Sequence, residues 1–166
     1  MAHVCQCCGR SHEDLPLDLG FVKPGAYLAL KTKRQQAQGR LTADTCILKG
    51  PRYFLRGRLP IPLLDHDRLF IWSVWVEVGP HIFERHLLLK QTQGTYEMPA
   101  PGALSVEREE PFRGMDRLPV LLRFTAGQSP LITLEPSNHW LCRDQQNGIT
   151  LHQLHERLHA IFPGRF

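Results

Sequence analysis

Two groups of residues in this chain have the types and spacing to do metal chemistry. Near one end, "HERLH" runs from His155 to His159. On a helix that spacing sets two imidazoles one turn apart, with Glu156 placed between them to activate a metal-bound water. Near the other end, "CQCCG" supplies Cys5, Cys7 and Cys8 followed by Gly9. Cys5 and Cys8 form the C-x-x-C of a zinc knuckle, in which Gly permits the tight turn. The first pattern implies a hydrolase with an open coordination position. The second implies a closed structural ion.

The context of each pattern separates them. Around HERLH, Leu151, Leu154, Leu158 and Ile161 recur at helical spacing and make a buried stripe. His152, His155 and His159 fall roughly 100° to one side of it, one residue's turn of the helix. A zinc peptidase needs a third protein ligand, usually from well beyond its motif, and "AIFPGRF" offers no His, Cys, Asp or Glu. HERLH therefore reads as an amphipathic helix with Glu156 toward solvent, and a zinc-dependent hydrolase at HERLH or at the Cys site is the alternative function. The knuckle needs two more ligands. His12 is the nearest and Cys46, in "DTCIL", the best distant one, with His139 and Cys142 behind them. The expected set for one structural Zn²⁺ is Cys5, Cys8, His12 and Cys46, which would tie the N-terminal segment to the body. Reduced structural thiols are the other reading of these cysteines.

The elements that must hold these groups follow from periodicity. Residues 1–25 read as a Cys-rich knuckle and loop, and 26–166 as the body of a single domain. Ala26 to Leu41 reads as one helix closed by Gly39. "TCILKGPRYFLRGRLPIPLL" reads as a hairpin with outward arginines, "LFIWSVWVEV" as a strand, and "PHIFERHLLLK" as a helix. Gln91 to Arg117 carries repeated Gly and Pro and reads as a long surface excursion. "LPVLLRF" and "PLITLEP" flank "TAGQS" as a second strand pair. The tail reads as a short helix, a break at Gly148 and a final helix, with Ser137 or Asn138 as N-cap. The sum is an α+β fold, a mostly antiparallel sheet with helices packed on it.

Composition bounds the function classes. The 166 residues are 42% hydrophobic and 22% charged, enough for one core without disulfide staples. A net charge of +4 without a basic block argues against a nucleic-acid partner. The longest apolar stretch, "LFIWSVWV", is too short to span a bilayer, and the opening residues lack the apolar core of a secretory leader. Five cysteines, three of them clustered, fit metal or reactive thiols in a reducing cytoplasm better than a disulfide framework. Trp72 and Trp75 are three apart, so on a strand they face opposite sides. One belongs in the core, and Trp75 is the candidate for a partner contact.

The ordered motifs "CxxCG" with His12, "DTCIL", "YFLRGRLPIP", "WSVWV" and "NHWLCRDQQNGIT" resemble the bacterial family grouped as domain of unknown function 2199. The resemblance spans nearly the whole chain. The chain departs from the family's Gly-Trp-Leu and Pro-Gly-Tyr-Pro pattern in the middle, and Trp140 stands where a Pro is usual. What the resemblance implies is a bacterial cytoplasmic protein of unitary fold, with no activity attached. The expected function is a non-catalytic, zinc-stabilised protein-interaction module, of the immunity or inhibitor type that meets a bacterial toxin. Its expected partner surface is the excursion carrying Glu107, Glu109 and Glu110, an acidic cluster suited to steering a basic partner.

Overall fold

The computed structural model describes residues 9–11, 15–92, 96–108 and 112–163. In chain order the elements are β1 (Asp18–Gly20), α1 (Gly25–Leu28), α2 (Lys33–Ala37), β2 (Arg40–Leu41), β3 (Thr45–Leu48), β4 (Arg52–Ile61), β5 (Phe70–Val78), α3 (Pro80–Thr92), β6 (Tyr96–Leu104), β7 (Pro119–Phe124), β8 (Leu131–Leu134), α4 (Trp140–Asn147) and α5 (Leu151–Ile161).

Strands β4 to β8 form an up-and-down run in which each is antiparallel to the next. Five such strands leave the first and last pointing the same way, so closing the run demands a parallel contact. That contact is β4 against β8 at Arg58↔Leu131. The result is a five-stranded barrel within a mixed sheet, where the sequence pattern had suggested a mostly antiparallel one. A barrel this narrow is filled by its own side chains. Alternate residues of β4 (Leu55, Leu59, Ile61) and β5 (Phe70, Trp72, Val74, Val76) point inward and join Leu122, Phe124, Ile132 and Leu134 in one core. Gly57 sits among the inward positions because a Cβ there would lie 2.7 Å from Ile132 Cδ1.

The two long strands each share one edge between two neighbours. On β4, residues Arg52 to Leu55 pair with β3, after which Arg58 meets β8. On β5, residues Ile71 to Ser73 take the parallel strand β1, after which Val76 and Glu77 meet β6. Each strand therefore forks, and the barrel contact beyond each fork is brief. On the outer face a second cluster of Cys46, Leu48, Phe54 and Trp75 is covered by Phe21, Ala26, Tyr27, Leu30 and Leu41.

Two elements depart from the sequence reading. The single helix over 26–41 is two short ones, α1 and α2, followed by β2. Apolar positions stop at Leu30, α2 buries nothing, and Thr32 restarts the chain with a capping box to Gln35. The long excursion is in fact regular over much of its length, since α3 reaches Thr92 and β6 follows. Pro99, Pro101 and Gly102 hid that strand. A register shift falls between Tyr96 and Ala100, and pairing with β5 is confined to Ala103 and Leu104, so few ladder bonds are asked of the prolines. Gly102 is required because a Cβ would collide with Val76 of β5. Elsewhere the expected strands and the last two helices form as read. The α4 cap shifts by a residue or two to His139, whose Nδ1 accepts the Leu141 N–H at 3.1 Å.

Candidate functional site

Each fork opens a hollow. At the β4 fork, Arg56 N–H donates to Asp44 O at 2.9 Å and Arg58 N–H to Pro130 O at 2.8 Å, so the backbone parts between them. The cleft there, about 170 Å³, is lined by Asp44, His86, Lys90, Thr125, Gln128 and Ser129 among others. Lys90 Nζ and Asp44 Oδ2 pair at 3.1 Å across its mouth. His86 is buried against Phe124. Burial first, and then the Lys90 charge, push its imidazole below the usual range, with Asp44 opposing.

The β5 fork is bridged rather than open at its root. Phe21 N–H donates to Ser73 O, Ser105 N–H to Trp75 O, and the Trp75 indole N–H to Phe21 O. Ser105 is buried, and it receives Gly25 N–H on its carbonyl and Ala26 N–H on its hydroxyl, which fixes α1 over the fork. Outside this bridge lies the larger cleft, about 670 Å³, within the span typical of ligand sites. One wall is α1 and the turn that follows it, with Ala26, Leu28, Ala29 and Leu30. The other is Ser105 to Arg108 with Asp116 and Arg117, and Arg52 closes the floor.

Charge in this cleft is arranged around one carboxylate. Glu77 leaves β5 on its outer face, opposite Phe54, and Arg52 grips both its oxygens through Nε and Nη2. Arg117 Nη1 adds a third bond, to Glu77 Oε2 at 2.9 Å. Burial alone would push the Glu77 carboxyl up, but the hydrogen bonds and charges of Arg52 and Arg117 outweigh it and hold the group below its ordinary value. The bond to Glu77 raises Arg52 in turn. Beside them, Arg108 Nε pairs with Asp116 Oδ2 at 2.9 Å.

Arg117 occupies the left-handed backbone region, with φ of 70°, alone among the described non-glycine residues. That conformation costs an L residue other than Gly about 1–2 kcal/mol. The side chain is about half exposed, at 53%, and ion pairs that open to water return about 0.2–1 kcal/mol. The pairing at best balances the strain, so the guanidinium adds little to folding.

Of the residues singled out from the sequence, the described ones divide between the outer cluster, which holds Cys46 and Trp75, and the wall of the larger cleft, which holds Glu107. Trp75 is fully buried and its indole N–H is committed to Phe21 O, so it has no face to offer a partner. Cys46 is fully buried in the apolar cluster with Leu48, Phe54 and Trp75. Burial pushes its thiol up to about 11, the direction that opposes the thiolate a zinc ligand must become. Cys5, Cys8 and His12 lie outside the described residues, as do Glu109 and Glu110. Glu107 is exposed and stands in the wall of the larger cleft. Among the described residues no three His, Cys, Asp or Glu side chains come together as a metal group. In HERLH the His155 and His159 rings stand 6.1 Å apart, while Glu156 is exposed beside His152 at 3.4 Å. No described helix is long and apolar enough to cross a membrane.

Gln145 lines neither of these clefts. Its amide N–H groups donate to Ile132 O at 3.0 Å and Pro60 O at 3.3 Å, and its carbonyl accepts Leu134 N–H at 2.8 Å. One side chain thus stitches β8 to β4 where direct pairing is a single bridge. Asp144 next to it is buried and bidentate with Arg157, whose guanidinium also lies 5.0 Å over the Trp140 ring. Sequence reasoning missed Arg52, Glu77 and Arg117. The available signal was a lone acid on the outward register of the apolar run "WVEV", near "RYF" on the adjoining hairpin strand.

Residues 4–149 match the family described as uncharacterised protein conserved in bacteria, domain of unknown function 2199, and the chain belongs to that family. No curated protein and no solved structure matches it.

Proposed function

We propose that this family member is a non-catalytic protein-interaction module whose docking surface is the cleft at the β5 fork. The observation that supports this is Arg117, a half-exposed residue kept at the cleft wall in the left-handed backbone region. Such outliers concentrate where a side chain is held for binding. Leu28, 43% exposed on α1, gives the same cleft an apolar contact. Ser105, its hydroxyl-bearing residue, is occupied in anchoring α1. A bacterial toxin is the partner class proposed, by analogy with small inhibitor proteins. The test is recovery of a partner from the native host with Leu28→Arg against Leu88→Arg, an equally intrusive change at an exposed site on α3. Loss with Leu28→Arg alone supports the reading. Equal recovery with both overturns it.

A structural zinc at the N-terminal segment is proposed alongside, on the Cys5-x-x-Cys8-Gly spacing. Its ligands beyond Cys5 and Cys8 are His12 or others from that segment, because the apolar surroundings of Cys46 disfavour a thiolate. Metal analysis of purified protein should give about one zinc per chain. Cys5→Ser should then lower stability by several kcal/mol, since metal binding and folding are coupled. A stable, metal-free protein would remove the proposal.

A further inference from the structure

We infer that Arg117 and Arg52 form a carboxylate clamp, which takes an acidic side chain of the partner segment that enters the β5 cleft; this rests on the reading of that cleft as a docking surface. Among the described residues two guanidinium groups bond the one carboxylate of Glu77, with Asp116 acting on Arg52 from farther off. Glu77 acts as a positioning residue, since its two oxygens lock Arg52 in a bidentate grip and pull Arg117 to the same point. Arg117 spends only Nη1 in that bond, and among the described residues Nε and Nη2 make no hydrogen bond. Five donors in a fixed fork suit a guanidinium to bidentate carboxylate recognition, and a partner already holding it in place reduces the ordering cost of a second.

The surroundings narrow the ligand further. The clamp sits beside the apolar side chains of α1, so the acid it takes is flanked by an aliphatic neighbour that lies on Leu28. Arg108 is already neutralised by Asp116, and Glu107 is exposed on the same wall. The cleft as a whole therefore carries little net charge. It selects a single carboxylate placed at the clamp, and a broadly acidic surface would be repelled by Glu107. This sets the clamp apart from steering by the acidic run itself, which would draw a basic partner.

The test uses the full chain, isotopically labelled, and short capped peptides at fixed ionic strength. Acetyl-Leu-Glu-Leu-amide should give saturable chemical-shift changes at the backbone amides of Gly25, Val106 and Arg117. The Gln analogue should bind at least tenfold more weakly, and Arg117→Gly should abolish the preference for Glu with its own spectrum otherwise folded. Arg117→Lys keeps the charge and loses the fork, so it should recover only part of that preference. Equal binding of the Glu and Gln peptides overturns the clamp while leaving the docking cleft intact. An unchanged Glu preference in Arg117→Gly overturns it as well. The cleft reading fails separately, when Leu28→Arg loses no partner.

Discussion

The two forks solve the same geometric problem in opposite ways. At the β4 fork the barrel closes through one parallel bridge, and the fold reinforces it with fully engaged side chains: half-buried Gln145 joins both strands, and buried Asp144 holds Arg157. At the β5 fork the closure is secured by the Ser105 bridge, but the charges outside it are half exposed and one of them sits on strained backbone. The contrast separates groups bound into the fold from groups held at the edge of a cleft. Gln145 and Asp144 have their side-chain polar atoms matched within the fold. Groups in the larger cleft are held in position without a comparable return in stability.

That contrast can be broken at several points. Gln145→Ala strands the Leu134 N–H and the Pro60 and Ile132 carbonyls, and each unmet buried group costs about 1–3 kcal/mol, so a loss of about 2–4 kcal/mol is expected from denaturant unfolding. A loss below about 1 kcal/mol would deny Gln145 its stitching role. Asp144→Ala comes next, at about 1–3 kcal/mol, reduced from a fully buried pair because Arg157 is itself 41% exposed.

The smaller cleft gives a pH test. The His86 imidazole is held below its ordinary 6.5 in the folded chain, so it stays neutral there while the unfolded chain takes up a proton. Its contribution is intact above about pH 6.5 and is lost as pH falls from there through the folded-state value. His86→Gln should flatten the drop in unfolding free energy between neutral and mildly acidic pH, and an unchanged slope would assign that drop to other groups. Smallest of all is Glu156→Gln, expected to stay within about 0.5 kcal/mol of wild type because the side chain is exposed. A hydrolytic activity lost with that substitution would restore HERLH as a catalytic motif.

How far the sequence could be read depended on the range of the physics involved. Helix α5 was legible because Leu151, Leu154, Leu158 and Ile161 follow one period and all four are buried. The opposite faces of Trp72 and Trp75 followed from strand alternation, and each lies in a different core cluster. The burial of both was not legible. Trp75 is covered by Tyr27 and Leu30 from a segment that read as one amphipathic helix, and helix-period reasoning does not show that α1 would fold back over the sheet. Strand β6 was hidden because Pro99 falls within a register shift and Pro101 pairs only with β7, and both depend on the partner strands. The arginine cluster was invisible for the same reason, since Arg52, Glu77 and Arg117 lie far apart in sequence and meet only through barrel register. Local motifs drew attention to Cys46 and HERLH, while the residues that share a cleft carry no local signature.

The proposed docking cleft depends on Arg117 being kept for what it binds. Its most direct test is the unfolding free energy of Arg117→Gly against wild type, measured at fixed pH and salt. Relief of the left-handed strain against loss of a half-exposed ion pair predicts a variant as stable as wild type or up to about 1 kcal/mol more stable. A loss of more than about 1 kcal/mol would show that Arg117 holds the fold together, and would contradict the division of roles between the two forks.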